Sequence, residues 1–552
     1  MPTVTLNKNV FEKLVGKKLP IEKLKERISM LGTDLESIEG NEIQVEIFPN
    51  RPDMLSEQGF ARAFSSFIGV KTGLKKYKIK KSGHKVIVGK GMEKIRPYTV
   101  CAIVRNLKFD DEKIREVIQV QEKLHTTFCR NRKKAAIGIY PLENIKLPIY
   151  FKAMNPKEIK FRPLEAKKEM TGLQILSQHP TGRDYGHLVE GLNKFAVFMD
   201  SNNEIMSLTP IINSHLTGKV NEKTTDIFIE FSGYDLEYQK IGLNMLAALF
   251  SDMGGQVESM EIVYPDKTIT TPNLEPTKMK IDVEYVNKKI GLNLKEKEMK
   301  TYMERMGLGY EAGKALVPAY RADIMHPVDI AEDIAIAFGF ENFEEEIPKV
   351  STIGEEDSFE VFKRRVANIL VGLGLIETCS YHLINKDDQT TKMNTKLELV
   401  KLSNPTTEEY NTLRQWMTPC LMNVFKHNRQ HEYPQKIFDM GVAFKKNKNT
   451  ETNVEEFTRV GVGISQPNTD YTEIKQILDY LLRMLDVKYE IIEYEHESFI
   501  SGRVGRAIVK GKKVAVVGEI HPQILSNFDL DMPVAVFELN LTQLFELIRE
   551  KN

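Results

Sequence analysis

Arg321-Ala322-Asp323-Ile324-Met325-His326-Pro327-Val328-Asp329-Ile330-Ala331-Glu332-Asp333-Ile334 places four carboxylates within eleven residues. Proline has no N–H to lose and a φ already near the helical value, so Pro327 suits the first turn of a helix. The pattern predicts a helix from Pro327 to about Phe338, with Gly339 as its C-terminal cap. At helical spacing Asp329, Glu332 and Asp333 share one face, while Ile330, Ile334, Ala337 and Phe338 form an opposite, apolar one. Asp323, in the preceding loop, can fold back towards the same acidic turn. Neighbouring like charges on a helix disfavour each other by roughly 0.2–0.5 kcal/mol per pair. A bound cation would remove that cost, and an all-oxygen ligand set suits hard Mg²⁺ or Ca²⁺. Acidic residues in a first turn also complement the helix dipole with no ligand at all. On these residues alone both readings stand.

Working outward, 552 residues are too many for one core and predict three to five domains. Hydrophobic content of 41% with 28% charged residues describes a soluble globular chain rather than a disordered or membrane-embedded one. Lys plus Arg balances Asp plus Glu at 77 each. A protein that coats nucleic acid by bulk charge would be basic, so any RNA contact must be local or shared with a second chain. Cys101, Cys129, Cys379 and Cys420 are scattered without Cys-x-x-Cys spacing, which argues against a disulfide framework or a zinc site and fits a reducing cytosol. No apolar run approaches the ~20 residues needed to span a bilayer. The opening Met1-Pro-Thr-Val-Thr lacks the apolar core of a signal peptide. These features predict a cytoplasmic protein without a membrane partner.

Familiar catalytic signatures are missing. There is no Gly-x-x-x-x-Gly-Lys-Ser/Thr loop and no Gly-x-Ser-x-Gly elbow. Gly372-Leu-Gly374 lacks the third glycine of a dinucleotide fingerprint. His427 and His431 have zinc-helix spacing without the intervening glutamate, and read as helix surface.

Periodicity divides the chain into four modules, at 1–85, 90–266, 270–348 and 351–552. The first alternates short elements: a strand at 3–6, a helix from Ile21 to Leu31, a strand at 42–48, the turn Pro49–Asp53 and a helix from Ser56 to Phe67. Lys75 to Lys85 reads as a solvated, lysine-rich connector. The second module has strands at 98–104, 195–199 and 227–231 with a helix from Asp111 to Leu124. Its basic cluster, Arg130, Arg132, Lys133 and Lys134, is either a solvated face or an RNA contact. The last module opens on a helix from Phe359 to Leu373. Strands at 397–402, 436–440 and 534–539 then predict an antiparallel sheet with helices on one face.

The quoted stretch, extended through Ala335 and Phe338-Gly339, resembles the B-five domain signature of the phenylalanine–tRNA ligase beta-subunit family. Phe48-Pro-Asn-Arg-Pro-Asp-Met-Leu-Ser56, with Gly59, Ala61 and Arg62, is similar to the family's N-terminal module. Residues 121–140 resemble its archaeal and eukaryotic editing module. Leu402-Ser-Asn-Pro405, Leu413–Met422, Gly518-Glu-Ile-His-Pro522 and Phe537-Glu-Leu539 resemble its class II synthetase-like core. The chain closes at Asn552 without the additional tRNA-binding domains of the longer bacterial form, so the expected type is archaeal or eukaryotic.

The resemblance implies an α+β multidomain fold: a class II synthetase-like antiparallel sheet with flanking helices, preceded by an editing domain and a small metal-binding domain. It implies Mg²⁺ on Asp323, Asp329, Glu332 and Asp333, near the contact with an alpha subunit. It also implies a tetramer of two alpha and two beta chains, tRNA(Phe) as partner and ATP as co-substrate. The core of this chain should carry no aminoacylation residues. Where a working second motif has arginine followed at two residues by glutamate, the sequence reads Arg414-Gln415-Trp416. No glycine-rich third motif follows, since Gly461-Val-Gly463 reads as a strand, and Trp416 is expected to be a packing anchor. Editing of Tyr-tRNA is the activity the resemblance leaves to this chain. Its candidate residues are Ser207, Asn213, Glu230 and Ser232, the last two on one strand face at i and i+2. Two other classes of answer are a free-standing metal-dependent nucleic-acid hydrolase and a non-enzymatic scaffold.

Overall fold

The computed structural model describes residues 2–348 and 351–549. It divides into two compact units, Met1–Ile347 and Pro348–Asn552. In the first unit a three-stranded antiparallel sheet joins Thr3–Asn7, Glu42–Glu46 and Asp34–Glu39, in that order. Period-two alternation turns Val4, Leu6, Ile43 and Val45 inward. The helix Glu57–Phe67 closes this core. The Ser56 hydroxyl caps it by accepting from the Gly59 N–H at 3.0 Å. Gly59 is required, because a Cβ there would lie 2.0 Å from the Asp53 carbonyl oxygen. Phe60 and Phe64 pack on Phe11 at centroid distances of 5.6 and 5.3 Å.

The large sheet has ten strands, nine in one path from Ile212–Asn213 to Ala135–Pro141, and Thr268–Thr271 pairing beside Gln256–Val263. Residues of Tyr98–Arg105 and Ile227–Gly233 are buried on both sheet faces, so their sequences run apolar without a break. Ile227, Ile229 and Phe231 pack with Leu243, Leu246 and Phe250 of the helix Leu236–Asp252. Phe228 and Tyr140 belong to the core on the opposite face. The lysine-rich stretch is not a free connector. Lys80–Val88 is a strand inside this sheet, pairing in parallel with Gln256–Val263 and Ile149–Met154. Its backbone takes the ladder bonds and Val86 is buried, while Lys80 and Lys81 stay exposed.

A third sheet of Thr277–Lys280, Lys314–Val317 and Gly309–Glu311 supports the helices Val283–Ile290, Glu296–Arg305 and Pro327–Phe338. Val286, Met299, Met303, Ile330 and Ile334 share their core.

The second unit is a seven-stranded sheet, antiparallel except where Ile376–Thr378 runs parallel to Gln435–Lys446. The helices Ser358–Gly372, Tyr471–Met484 and Leu541–Arg549 cover the face bearing Val460, Val462, Phe537 and Leu539. The other face is not bare, contrary to the sequence expectation. The helix Thr418–His427 packs there, with Leu421 and Phe425 against the strand positions that Gly461 and Gly463 leave open. Two smaller expectations also change. Residues 397–402 form no strand, since only Lys401 bridges Thr412, and His431 falls beyond the helix that ends at His427.

Candidate functional site

Three of the four editing candidates converge. Ser207, Asn213 and Glu230 line one cavity of about 270 Å³ in the first unit. Glu230 sits on the strand Ile227–Gly233, opposite Gly138 on Ala135–Pro141. A Cβ at Gly138 would lie 2.6 Å from Glu230 Oε1 and 2.5 Å from the Tyr140 hydroxyl oxygen, so the glycine makes room for both. The Tyr140 hydroxyl donates to Asn213 Oδ1 at 3.2 Å. That bond joins the two ends of the sheet path. Ser207 and Thr209 pair through their hydroxyls at 3.1 Å.

Glu230 is buried, and its Oε2 has no hydrogen-bond partner. Loss of hydration raises its pKa to about 8, with Arg96, Ser232 and Tyr140 pulling the other way. At neutral pH the carboxyl is therefore mostly uncharged. His125, also on the wall, accepts from the Ile137 N–H at 2.9 Å; burial, aided by Arg132 and Arg96, holds it well below the usual histidine range.

Ser232 lies outside the cavity. Its hydroxyl accepts from Arg96 Nε at 3.1 Å and its carbonyl from Arg96 Nη2 at 2.6 Å. Sequence reasoning missed Tyr140, Gly138 and Arg132. Arg132 lines the wall, donating from Nη1 to the Ile211 carbonyl at 2.6 Å and resting 4.2 Å over the Tyr185 ring. It is thus drawn out of the solvated cluster in which the sequence placed it.

The acidic helix begins as expected, at Pro327, with His326 as its N-cap. Its carboxylates do not share one point. Arg321, fully buried, forks onto both oxygens of Asp323 at 2.8 and 2.7 Å and reaches Asp333 Oδ2 at 2.9 Å. Asp329 Oδ2 accepts from the Met325 and His326 N–H groups at 2.8 and 2.7 Å, closing a capping box. Glu332 is exposed. Asp333 therefore turns inward, away from the face it was expected to share, because Arg321 supplies a cation there. Among the described residues, the group of three carboxylates whose oxygens all lie within 4.8 Å of one another is Asp34, Glu36 and Glu46, and such acidic groups are common without an ion.

Over 99% of its length the chain is 38% identical to the phenylalanine–tRNA ligase beta subunit of Pyrococcus abyssi, all of which it covers. The chain belongs to the phenylalanine–tRNA ligase beta-subunit family. The beta subunit of Archaeoglobus fulgidus is 37% identical, with 99% of each chain covered, so the likeness is to the archaeal type. The tRNA synthetase B5 domain model matches residues 279–340, which contain the acidic helix. The phenylalanyl tRNA synthetase beta chain CLM domain model matches 343–541, most of the second unit. A solved N-terminal fragment of the beta subunit from Pyrococcus horikoshii is 38% identical, with a TM-score of 0.59 over 61% of this chain and 99% of that one.

Proposed function

We propose that this beta subunit, as part of an aminoacyl-tRNA ligase complex, clears tyrosine wrongly attached to tRNA(Phe). The synthetic reaction, ATP-dependent joining of phenylalanine to tRNA(Phe), then belongs to the alpha subunit of a tetramer of two alpha and two beta chains. The observation that carries the proposal is the buried Glu230, with one oxygen unpaired, on the wall of a cavity it shares with Ser207 and Asn213, the latter held by Tyr140. An apolar pocket selects poorly against a substrate that merely adds a hydroxyl, so a synthetic site for phenylalanine admits some tyrosine. A site built to hydrogen-bond that hydroxyl rejects the analogue lacking it far more strongly, because its buried polar groups stay unpaired. Glu230 can donate to a phenol oxygen when protonated and accept from the O–H when ionised. Phenylalanine offers it nothing. Asn213 and Tyr140 are the polar groups placed to orient a water towards the ester.

A magnesium ion at the start of the acidic helix fits only part of the donor set. Asp329 keeps one oxygen outside its capping bonds and Glu332 faces solvent without a partner, whereas Asp323 and Asp333 are held by Arg321. Mg²⁺ commonly takes one or two carboxylates and retains several waters. Asp329 and Glu332 would hold it, with Asp323 and Asp333 fixing the loop through Arg321 and the alpha subunit offering further oxygens. Bound there, the ion supplies charge neutralisation between chains. A free-standing metal-dependent hydrolase is disfavoured, since two of its four carboxylates are already held by Arg321. No helix among the described residues is long and apolar enough to cross a membrane, and the cytosol is the proposed location.

The experiment is deacylation of preformed Tyr-tRNA(Phe) by the assembled enzyme. Glu230→Ala should lose hydrolysis while Phe-tRNA synthesis stays near normal. Ser232→Ala should retain hydrolysis, because Ser232 meets Arg96 rather than the cavity. Equal rapid hydrolysis by wild type and Glu230→Ala would refute the assignment.

A further inference from the structure

The second unit contains a cavity of about 260 Å³ on the sheet face away from its three long helices. Cross-strand register brings its floor together. Arg506 pairs with Val516, Val516 with Glu538, and Arg459 with Asn540. Strand alternation puts these side chains opposite the apolar core of Val460, Val462 and Phe537. Trp416, Tyr494, His496 and Phe499 form aromatic walls.

Four polar atoms on this lining are buried and have no partner: Trp416 Nε1, Arg459 Nε, Arg506 Nε and Gln415 Oε1. Buried polar groups are normally paired, and each one left bare costs about 1–3 kcal/mol. They sit just behind the cavity surface, so the donors open to the cavity are the guanidinium ends. Glu538 cannot serve. Its Oε2 accepts from the Met417 and Thr418 N–H groups at 2.8 and 3.0 Å, and its Oε1 from Arg459 Nη1 at 2.7 Å. The Arg506 guanidinium makes no hydrogen bond or ion pair; its one contact of note is the Tyr494 ring, 4.4 Å below. Three cations, Arg459, Arg506 and Lys513, thus face the single, already engaged carboxylate of Glu538.

We propose that this cavity binds a nucleoside monophosphate. The excess of two positive charges matches a phosphate monoester, which carries about −1.5 to −2 at neutral pH. The Arg506 guanidinium is a donor with no acceptor of its own, which phosphate oxygens would provide. A flat base fits between aromatic walls, and Gln415 meets an exocyclic amine. Trp416, read from sequence as a packing anchor, becomes part of the ligand wall. An aromatic amino acid brings the ring but only one negative charge to the arginines, and inorganic phosphate brings charge without a ring.

Trp416 is the one tryptophan in the chain, so its fluorescence reports on this cavity. Titrating AMP into the purified full-length chain should quench that emission saturably, with a Kd of about 1 mM or tighter. Arg506→Gln breaks no hydrogen bond and should fold normally, with an unchanged unfolding temperature as control. It should weaken AMP binding about tenfold or more, as loss of a charged hydrogen bond does. Equilibrium dialysis of labelled AMP gives the same comparison without relying on fluorescence. Absence of saturable binding by either method overturns the proposal. So does equal binding by inorganic phosphate, or saturation by phenylalanine with none by AMP.

Discussion

Glu230 is an acid in a strand whose neighbours are all buried, and its stability effect has a definite sign. Its folded pKa of about 8 lies above the ordinary carboxylate value, so folding takes up a proton between the two. The stability it contributes is complete below about pH 4.5 and is lost as pH rises through 8. Glu230→Gln has no proton to release. The variant should therefore gain on wild type between pH 5 and 9, by roughly 3–5 kcal/mol at most. Urea unfolding at several pH values measures this; parallel curves for the two proteins would show that Glu230 is not buried as a neutral acid. The residue was legible in sequence because a lone carboxylate in an apolar strand stands out. Its neighbours were not. Tyr140 meets Asn213 across 73 residues through the meeting of two sheet ends, which no local pattern encodes. Ser232 shares the strand face of Glu230 by period two, and the structure sets it against Arg96, outside the cavity lining.

At the level of elements, the helix Pro327–Phe338 was readable to the residue because both of its ends are set locally, by proline at the first position and glycine after the last. What its acids do was less readable, since Arg321 divides them into an inner pair and an outer pair. The two pairs should respond differently to substitution. Arg321→Leu leaves Asp323 and Asp333 without their cation, and should cost about 3–5 kcal/mol in denaturant unfolding, as breaking a buried ion pair does. A loss under 1 kcal/mol would mean the fork adds little. Asp329→Asn with Glu332→Gln keeps an acceptor for the cap, so the fold should hold to within about 1 kcal/mol. If these two carry the metal, that variant should lose bound Mg²⁺ and elute apart from the alpha subunit at concentrations where wild type co-elutes. Full assembly of the variant with no metal in either protein would return the acids to a role at the helix dipole. The strand Lys80–Val88 marks the opposite limit of local reading. Its lysines look solvated because they are, yet its backbone sits between two other strands, and that position is decided by partners far along the chain.

On the scale of the whole molecule, the chain parts into two compact units between Ile347 and Pro348. Within the first, sheets and helices share a core. Phe11 and Phe64 on the helices that pack against the N-terminal sheet, Phe250 under the large sheet and Ala337 of the acidic helix all belong to one buried cluster. Charge ties the same parts together. Asp252 holds Arg62 and, at 2.6 Å, the Lys75 ammonium, while the Arg62 guanidinium lies 4.2 Å over the Tyr320 ring. Elements that share a core and an ion network should melt as one, whatever their sequence boundaries suggest. A chain ending at Ile347 should therefore unfold in a single calorimetric transition. Asp252→Ala strands a buried guanidinium in this network, which costs about 3–5 kcal/mol. The penalty should lower that one transition by roughly 4–7 °C without dividing it. Two resolved transitions in the truncated wild type, or an Asp252→Ala effect confined to one of them, would show that the modules are thermodynamically separate and that their shared cluster is only a contact.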